Sequence, residues 1–260
     1  MIPSALEFIR EIAGGHGQLA VFLDYDGTLT PIVSHPEEAV LSDSMRQTLR
    51  ELAARAPVVA ILSGRGLDDV RRRVNIDSIV YAGSHGFDIA GPHGLRRQMA
   101  TEFLSNLDMA EKELHAVLGG ISGARVERKR FSVAAHYRNV KENDVPKVEQ
   151  AVSEVATRHR GLRRMEGKKV FELLPAIAWD KGKAMLWLLE TLGLESRSGG
   201  IRSIYIGDDR TDEDAFRALE QRGIGILVSE QSQPTAARYS LKNPAEVERF
   251  LHALRARLPA

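Results

Sequence analysis

The chain has 260 residues, 43% hydrophobic and 27% charged, so it is long enough for one large or two modest domains and is neither disordered nor fibrous in composition. The 36 basic residues offset 35 acidic ones to a net charge of +1. No overall field therefore draws the molecule onto nucleic acid or a membrane, and we expect neither as a partner.

Cysteine is absent from the sequence, which excludes disulfides, thiolate metal ligands and a cysteine nucleophile, and fits the reducing cytoplasm, where we expect the protein to work. The N-terminal stretch 1–17 has Glu7, Arg10 and Glu11 in place of a continuous apolar run. We therefore expect it to be neither a signal peptide nor a membrane span.

Short apolar runs that end in glycine or polar residues predict buried parallel strands. In chain order these runs are 19–23, 58–62, 78–82, 203–206 and 225–228. Helical patterns lie between or after them, at 44–55, 67–74, 181–192, 212–220 and 245–258. This alternation predicts an α/β fold of the doubly wound, Rossmann-like kind, with a parallel sheet.

The alternation stops over 101–175, where a helix (102–118) and two strand-like segments are followed by a second helix (145–159) and two more. This αββαββ order predicts an inserted α+β domain. We therefore expect a catalytic core formed by 1–100 and 176–260 and an inserted cap formed by 101–175.

Two carboxylates follow the first predicted strand directly, at Asp24 and Asp26. In an open parallel sheet, ligands bind outside the carboxyl ends of the strands. Residues two apart on an extended chain point the same way, so one carboxylate can serve as nucleophile and the other as general acid and base. Gly27 allows a sharp turn. The alternative is an ordinary Asp-Gly turn at a strand end.

Polar residues also follow two other predicted strands, at 63–65 (SGR) and 207–214 (GDDRTDED). Ser63 could cap the next helix, bind phosphate, or do both. Acids in a first helical turn explain 212–214 but not Asp208 and Asp209. Two carboxylates 4 Å apart repel by roughly 4 kcal/mol at an effective dielectric near 20, so the site needs cations. Oxygen ligands favour Mg²⁺, and Lys181 is a second candidate cation.

These motifs, in this order, resemble the haloacid dehalogenase superfamily of phosphohydrolases. More narrowly, the sequence resembles the trehalose-6-phosphate phosphatase family in six segments: FLDYDGTLTPI, AGSHGFDI, RFSVAAHYR, GKKVFELLP, WDKGKA and YIGDDRTDEDAF. The stretch 36–40 also matches the P-x-x-A element of that family, to which we attach no chemistry.

The resemblance implies that Asp24 attacks phosphorus and forms an aspartyl phosphate, while Asp26 protonates the leaving sugar oxygen and then activates water. It also implies that Ser63 and Lys181 hold the phosphoryl oxygens. Four residues are implied as the Mg²⁺ ligands, with Asp212 as a further partner: Asp24, Asp26 through its main-chain carbonyl, Asp208 and Asp209. Arg65 and His85 are candidate substrate-binding residues, although His85 could instead have a structural role.

The inserted domain is expected to select the sugar. Residues 131–138 alternate apolar and mainly polar side chains, which predicts a strand with one polar face. Lys168 and Glu172, four apart, are predicted to share such a face, as are Glu127 and Lys129. The resemblance implies that the following residues bind sugar hydroxyls: Glu127, Lys129, Arg138, Lys168 and Glu172. Simple solvation of an exposed strand face is the alternative.

Together these features lead us to expect an Mg²⁺-dependent phosphatase that hydrolyses trehalose 6-phosphate, with a sugar phosphate as its small-molecule partner. Two alternatives stay open: a phosphatase for another sugar phosphate, and a catalytically silent regulatory partner of a trehalose-phosphate synthase. We expect a monomer, with functional coupling to such a synthase as a further hypothesis.

Overall fold

A computed structural model describes residues 2–14, 18–194 and 201–259. The chain divides into two compact units, one formed by Met1–Arg96 with Trp179–Ala260 and the other by Arg97–Ala178. These limits lie a few residues outside the insertion expected at 101–175. Met1 and residues 15–17 of the expected non-signal segment lie outside the described residues.

The first unit, which we call the core unit, is built on an eight-stranded sheet. The strands of this sheet are β1 (Leu19–Leu23), β2 (Val58–Leu62), β3 (Val80–Gly83), β4 (Asp88–Ala90), β5 (Arg96–Gln98), β10 (Arg202–Gly207), β11 (Gly223–Val228) and β12 (Tyr239–Leu241). All belong to the core unit except the last two residues of β5, which the division at Arg96 assigns to the second unit. The strand order is β12-β11-β10-β1-β2-β3-β4-β5. Pairings from β12 through β3 are parallel, whereas β3 and β4 are antiparallel.

The helices of the core unit are α1 (Ile9–Ala13), α2 (Asp43–Ala53), α3 (Leu67–Val74), α6 (Lys181–Thr191), α7 (Glu213–Leu219) and α8 (Pro244–Arg255). Every residue of β1 and of β2 is buried, as expected for central strands covered on both faces. The predicted α/β class with a mainly parallel sheet is confirmed.

Parallel register brings the functional loops to one edge of the sheet. Leu23, the last residue of β1, pairs with Ile206 of β10 and with Ile61 of β2. Because the three strands run in the same direction, the segments that follow them leave at the same edge. Asp24, Ser63 and Asp208 each begin one of these segments.

Three strands of the eight-stranded sheet, β4, β5 and β12, were not predicted. Each has only three residues, which is too short to display a period of two. The helix α1 was also missed, because its five residues are too few to display a helical period. Within the described ranges, none of the helices combines the length and apolar character needed to cross a membrane.

The second unit, which we call the cap unit, follows the predicted αββαββ order. Its elements are α4 (Leu104–Leu118), β6 (Arg125–Lys129), β7 (Ser132–His136), α5 (Val145–Arg158), β8 (Leu162–Gly167) and β9 (Val170–Pro175). The strands form an antiparallel sheet in the order β6-β7-β9-β8. Val133, Ala135, Phe171 and Leu173 pack with residues of both helices in one apolar core.

Two predicted positions on this sheet are wrong. β7 ends at His136, so Arg138 lies in the turn that follows and donates a hydrogen bond to the Lys168 carbonyl at 3.2 Å. β8 ends at Gly167 and β9 begins at Val170, so Lys168 lies in a two-residue hairpin turn beside Lys169, whose φ is +65°. Neither residue shares a strand face with Glu172.

Candidate active site

Three carboxylates meet at the edge of the core sheet. Oxygen atoms of Asp24, Asp208 and Asp212 lie within 4.8 Å of one another, and all three residues are buried. The backbone N–H of Asp24 donates to the Ile206 carbonyl at 2.9 Å, so the first carboxylate is held by the hydrogen bonds of the sheet itself. Its backbone position is therefore set by the pairing of β1 with β10.

Gly27 allows the close approach of Asp208. Its φ is +83°, a value that favours glycine, and a Cβ placed there would lie 2.0 Å from Asp208 Oδ2. A side chain at this position would have to displace the Asp208 carboxylate. The glycine therefore has a second role beside the predicted sharp turn, since the bare backbone also makes room for Asp208, the acid that follows β10.

Lys181 supplies a positive charge to this cluster. It is the first residue of α6, is 2% exposed, and donates to Asp24 Oδ1 at 2.6 Å and to Asp212 Oδ1 at 2.8 Å. Burial alone would lower the pKa of Lys181, but the two carboxylates outweigh it and raise this pKa well above its ordinary value. Lys181 therefore stays an ammonium ion.

Asp212 links Lys181 to the turn after β10 by hydrogen bonds. Its Oδ1 also accepts from the Tyr205 hydroxyl at 2.7 Å, and its Oδ2 accepts from the backbone N–H groups of Asp208 and Asp209 at 3.0 and 2.9 Å. Four donors thus surround one fully buried carboxylate. The sequence pattern indicated an acid in a helical turn, but nothing in it pointed to Tyr205, because a strand pattern shows burial and not hydrogen-bond partners.

Asp209 lies outside this carboxylate cluster, although the resemblance implied it as a metal ligand. Its Oδ1 accepts from the Arg210 N–H at 2.7 Å, where it caps the short helix Arg210–Asp212. Asp212 takes its place in the cluster. Asp209 and Asp212 form a capping box, in which the Asp209 side chain caps this short helix and the Asp212 side chain accepts from the Asp209 N–H.

The charge balance of the cluster favours a cation. Burial raises the pKa of Asp24 well above its ordinary value, and the carboxylates of Asp212 and Asp208 add to this effect while Lys181 opposes it. One ammonium group therefore does not compensate three carboxylates. The atoms of the three carboxylates that could bind a metal ion are all oxygens, which suits a hard divalent ion such as Mg²⁺.

Asp26 and Arg65 form a bidentate ion pair. Arg65 Nε lies 2.8 Å from Asp26 Oδ2, and Arg65 Nη2 lies 2.6 Å from Asp26 Oδ1. Ser63 comes just before, and its hydroxyl accepts from the Arg65 N–H at 3.1 Å. Helix α3 begins at Leu67 with Gly66 at the N-cap position. Ser63 therefore does not cap this helix, and its hydroxyl accepts from the turn that precedes the helix.

His85 packs on this same turn. A Cβ on Gly64 would lie 2.8 Å from the His85 ring, and the His85 N–H donates to the Ser63 carbonyl at 2.9 Å. Ser84 and His85 have φ values of +48° and +58°, an uncommon conformation for residues other than glycine. The structure thus brings His85 beside the Ser63–Arg65 turn within the core unit.

The polar face of the cap sheet carries three of the predicted sugar-binding residues. Glu127 and Glu172 lie in register on either side of Ala134. Glu172 is 3% exposed and accepts from Lys129 Nζ at 2.9 Å and from the Ser132 hydroxyl at 2.6 Å.

Glu127 has a partner that was not among the predicted site residues. His136 Nε2 lies 2.7 Å from Glu127 Oε2, and this hydrogen bond holds the pKa of Glu127 below its ordinary value. The alternation in 131–138 placed His136 on the polar face, which was the available signal. The face therefore carries two hydrogen-bonded groups, one of Glu127 with His136 and one of Glu172 with Lys129 and Ser132.

Residues 22–245 match the family model for trehalose-phosphatase. The chain belongs to the trehalose-phosphatase family. Probable trehalose-phosphate phosphatase D from Arabidopsis thaliana is 45% identical over 266 residues, which cover 97% of this chain and 72% of that protein. Trehalose 6-phosphate phosphatase RA3 from Zea mays is 44% identical over 97% of this chain and 74% of its own length.

Solved structures agree at the level of the fold. The C-terminal domain of the Candida albicans trehalose-6-phosphate phosphatase superimposes with a TM-score of 0.86 over the whole of both chains, at 22% identity. The predicted family, and the predicted class of enzyme, a phosphoric monoester hydrolase of the trehalose-phosphatase type, are confirmed.

Proposed function

We propose that this enzyme hydrolyses trehalose 6-phosphate to trehalose and phosphate, through an aspartyl phosphate on Asp24 and with Mg²⁺ as cofactor. The observation that carries the proposal is the buried Asp24 carboxylate, held by Lys181 at the sheet edge with Asp26 two residues further on. Membership of the trehalose-phosphatase family supports the choice of substrate.

The reaction proceeds in two displacements. An oxygen of Asp24 forms a bond to phosphorus as the ester bond breaks, and the electron pair of that bond passes to the sugar oxygen, which takes a proton from Asp26. Asp26 then takes a proton from water, and the resulting hydroxide attacks phosphorus. Phosphate leaves and Asp24 is regenerated, so one residue acts first as acid and then as base.

The other residues of the core unit hold charge in place. Lys181 and Ser63 bind the phosphoryl oxygens in this proposal; Arg65 lies on the same turn as Ser63, and His85 packs beside that turn. Asp24, the Asp26 carbonyl and Asp208 would hold Mg²⁺, with Asp212 and Asp209 as further partners; the ion supplies charge neutralisation at the phosphoryl group. Phosphate monoesters are among the slowest uncatalysed hydrolyses, so several groups must act together.

The cap unit supplies sugar recognition in this proposal. Carboxylates accept hydrogen bonds from sugar hydroxyls and ammonium groups donate them, and Glu127, Lys129 and Glu172 combine both kinds on one face. Arg138 and Lys168 stay in the proposal as residues of two neighbouring turns, joined by a hydrogen bond.

Phosphate release from a panel of sugar phosphates tests the proposal. The purified enzyme is incubated with trehalose 6-phosphate, sucrose 6-phosphate, mannosylphosphoglycerate and 4-nitrophenyl phosphate, each with Mg²⁺ or with EDTA. We expect the highest kcat/KM for trehalose 6-phosphate, loss of turnover in EDTA, and recovery on adding Mg²⁺. Preference for another sugar phosphate would support the first alternative, and binding without turnover would support a silent regulatory partner.

Three finer expectations accompany this function. We propose a monomeric enzyme of the cytoplasm whose substrate comes from a trehalose-phosphate synthase. The absence of cysteine fits that compartment. Light scattering on the purified protein tests the monomer, and co-purification with a synthase tests physical coupling.

A further inference from the structure

Arg65 directs most of its hydrogen-bonding capacity at the protein. Its Nε and one Nη2 proton go to Asp26, the other Nη2 proton goes to the Pro36 carbonyl at 2.8 Å, and Nη1 goes to Asp69 at 2.9 Å. A guanidinium group has five N–H donors, so these contacts leave at most one for a substrate. Arg65 is also buried, which limits its movement towards a ligand.

Asp69 accepts hydrogen bonds from three arginine side chains. Besides Arg65, it accepts from Arg73 Nε at 2.9 Å and from Arg72 Nη2 at 3.1 Å. Burial alone would raise the pKa of Asp69, but the hydrogen bonds from Arg73, Arg65 and Arg72 outweigh it and hold this pKa below its ordinary value. Asp69 therefore stays ionised and fixes the guanidinium that faces Asp26.

The P-x-x-A stretch forms the opposite side of this arrangement. Arg73 Nη1 donates to the carbonyls of Glu37 and Ala39, both at 3.1 Å, and the Tyr25 hydroxyl donates to the Ala39 carbonyl at 3.0 Å. The Arg65 guanidinium also lies over the Tyr25 ring, 5.3 Å from its centre. Backbone carbonyls of 36–39 thus accept from two of the three arginines that contact Asp69, Arg65 and Arg73.

We propose that Arg65 is a positioning residue for Asp26, and that Asp69 and the 36–39 carbonyls act through it. This inference rests on the proposed function, in which Asp26 exchanges a proton with the leaving group and with water. An ionised carboxylate has about four lone-pair positions. Nε and Nη2 of Arg65 donate to the two carboxylate oxygens of Asp26 and so fix the plane of this carboxylate. Its other lone pairs stay available for proton exchange.

The chemistry of the leaving group separates this role from binding of phosphate. A sugar alkoxide is a poor leaving group and needs the proton of Asp26, whereas 4-nitrophenolate leaves without one. Displacing Asp26 therefore slows departure of the sugar and spares departure of 4-nitrophenolate. Hydrolysis of the aspartyl phosphate, in which Asp26 serves as base for both substrates, follows that departure and does not enter kcat/KM, so kcat/KM is the quantity to compare. An arginine that bound the phosphoryl group would affect both substrates, because both carry the same group.

The experiment compares kcat/KM for trehalose 6-phosphate and 4-nitrophenyl phosphate across a set of variants. We expect Arg65→Met to lower kcat/KM for the sugar phosphate by about 10²-fold, within the usual share of general acid catalysis, with little change in kcat/KM for the aryl phosphate. Asp69→Asn, which leaves Asp26 itself untouched, should lower kcat/KM for the sugar phosphate by roughly tenfold through misplacement. Arg65→Lys should restore part of the loss.

Two variants serve as matched controls. Arg72→Met removes an arginine that touches Asp69 but not Asp26, and its side chain is 75% exposed. Asp68→Asn removes the exposed neighbour of Asp69 on α3. Both should keep wild-type kinetics on both substrates.

A double variant tests whether Arg65 acts through Asp26. When Asp26→Asn is already present, adding Arg65→Met should change kcat/KM for the sugar phosphate by less than about threefold, because groups that act as a unit are not additive. Equal losses of kcat/KM on both substrates, wild-type kinetics in Arg65→Met, or full additivity with Asp26→Asn would each overturn the inference.

An assay of the wild-type enzyme shows whether a negative result contradicts this inference or the proposed function. If the wild type does not cleave trehalose 6-phosphate, the proposed function fails; the same comparison then uses whichever sugar phosphate the panel identifies. If Arg65→Met does not fold, Arg65→Lys and Asp69→Asn carry the comparison with the same expected selectivity.

Discussion

The core acid cluster and the polar face of the cap sheet use the same kinds of side chain in different ways. At the core edge, Asp24, Lys181, Asp208 and Asp212 are all buried and contact one another or the backbone. On the cap face, Glu172 is buried, but Glu127, Lys129 and His136 stay partly exposed. Charges in the core therefore depend on their neighbours, whereas most cap charges also keep contact with water.

Substitutions of buried charges and of partly exposed charges should have different effects. Removing one partner of a buried ion pair leaves a charge without compensation and costs stability as well as activity. Removing a partly exposed charge costs little stability, because water takes its place. We therefore expect loss of the ammonium group of the core cluster to change both folding and chemistry, and loss of the partly exposed cap charges to change mainly substrate choice.

Replacement of the nucleophile is the largest test on the core side. We expect Asp24→Asn to reduce phosphate release by at least about 10⁴-fold, as loss of a nucleophile does in other enzymes. The fold should persist, because an amide removes one of three mutually repelling carboxylates. Phosphate release and a thermal melt measure the two effects. Substantial residual turnover would remove Asp24 from this role.

Lys181→Met should show how far the cluster depends on its ammonium group. We expect the free energy of unfolding to fall by roughly 3–5 kcal/mol, the usual cost of breaking a buried ion pair from one side. Lys183→Met is the matched control, since it lies on the same helix with its side chain 47% exposed. Equal costs for the two variants would contradict the contrast between buried and exposed charge.

Sequence patterns predicted the core better than its connections. The bounds of β1, β2 and α3 match the predicted segments, because long apolar runs and amphipathic periods report burial directly. The clustering of Asp24 with Asp208 followed from parallel strands ending at one edge. The Arg65–Asp26 pair and the Tyr205–Asp212 pair could not be predicted, because no local pattern encodes which distant side chain a buried group faces.

In the cap unit, the limits of prediction lie in the turns. Alternation identified the faces of β7 and β9, yet a hairpin turn with a positive φ at Lys169 removed Lys168 from its predicted face. Arg138 was lost similarly, since β7 stops at His136. Alternation says which residues share a face, but turn geometry decides where the strand ends.

On the cap side, Glu172→Ala tests selectivity. Loss of this buried acceptor leaves Lys129 and Ser132 without their shared carboxylate. We expect KM for trehalose 6-phosphate to rise by about 10²-fold, because a hydrogen bond to a charged group contributes roughly 1.5–3 kcal/mol, and KM for 4-nitrophenyl phosphate to stay nearly constant.

Glu166→Ala is the control for Glu172→Ala. Glu166 is exposed on the same sheet and pairs in register with Phe171, a residue of the apolar core. It therefore lies on the other face and should leave both KM values unchanged. Equal increases for the two substrates in Glu172→Ala would show that the cap face does not recognise the sugar.

The smallest expected effect concerns the pH dependence of stability at Asp69. Its pKa is lowered from the ordinary 3.8 in the folded protein, so its contribution is fully present above that value and is lost as pH falls through the folded pKa. Asp69→Asn should therefore reduce the free energy of unfolding by about 1–2 kcal/mol at pH 7, since hydrogen bonds to a charged group contribute on this scale.

Urea unfolding of wild type and Asp69→Asn at descending pH measures this contribution. The difference between them should shrink below pH 3.8, because protonated aspartate and asparagine are both neutral. Asp68→Asn should show no such difference at pH 7, since its carboxylate is exposed. A constant difference down to the acid limit of folding would mean that Asp69 contributes through packing, and that its three arginines are held by other contacts.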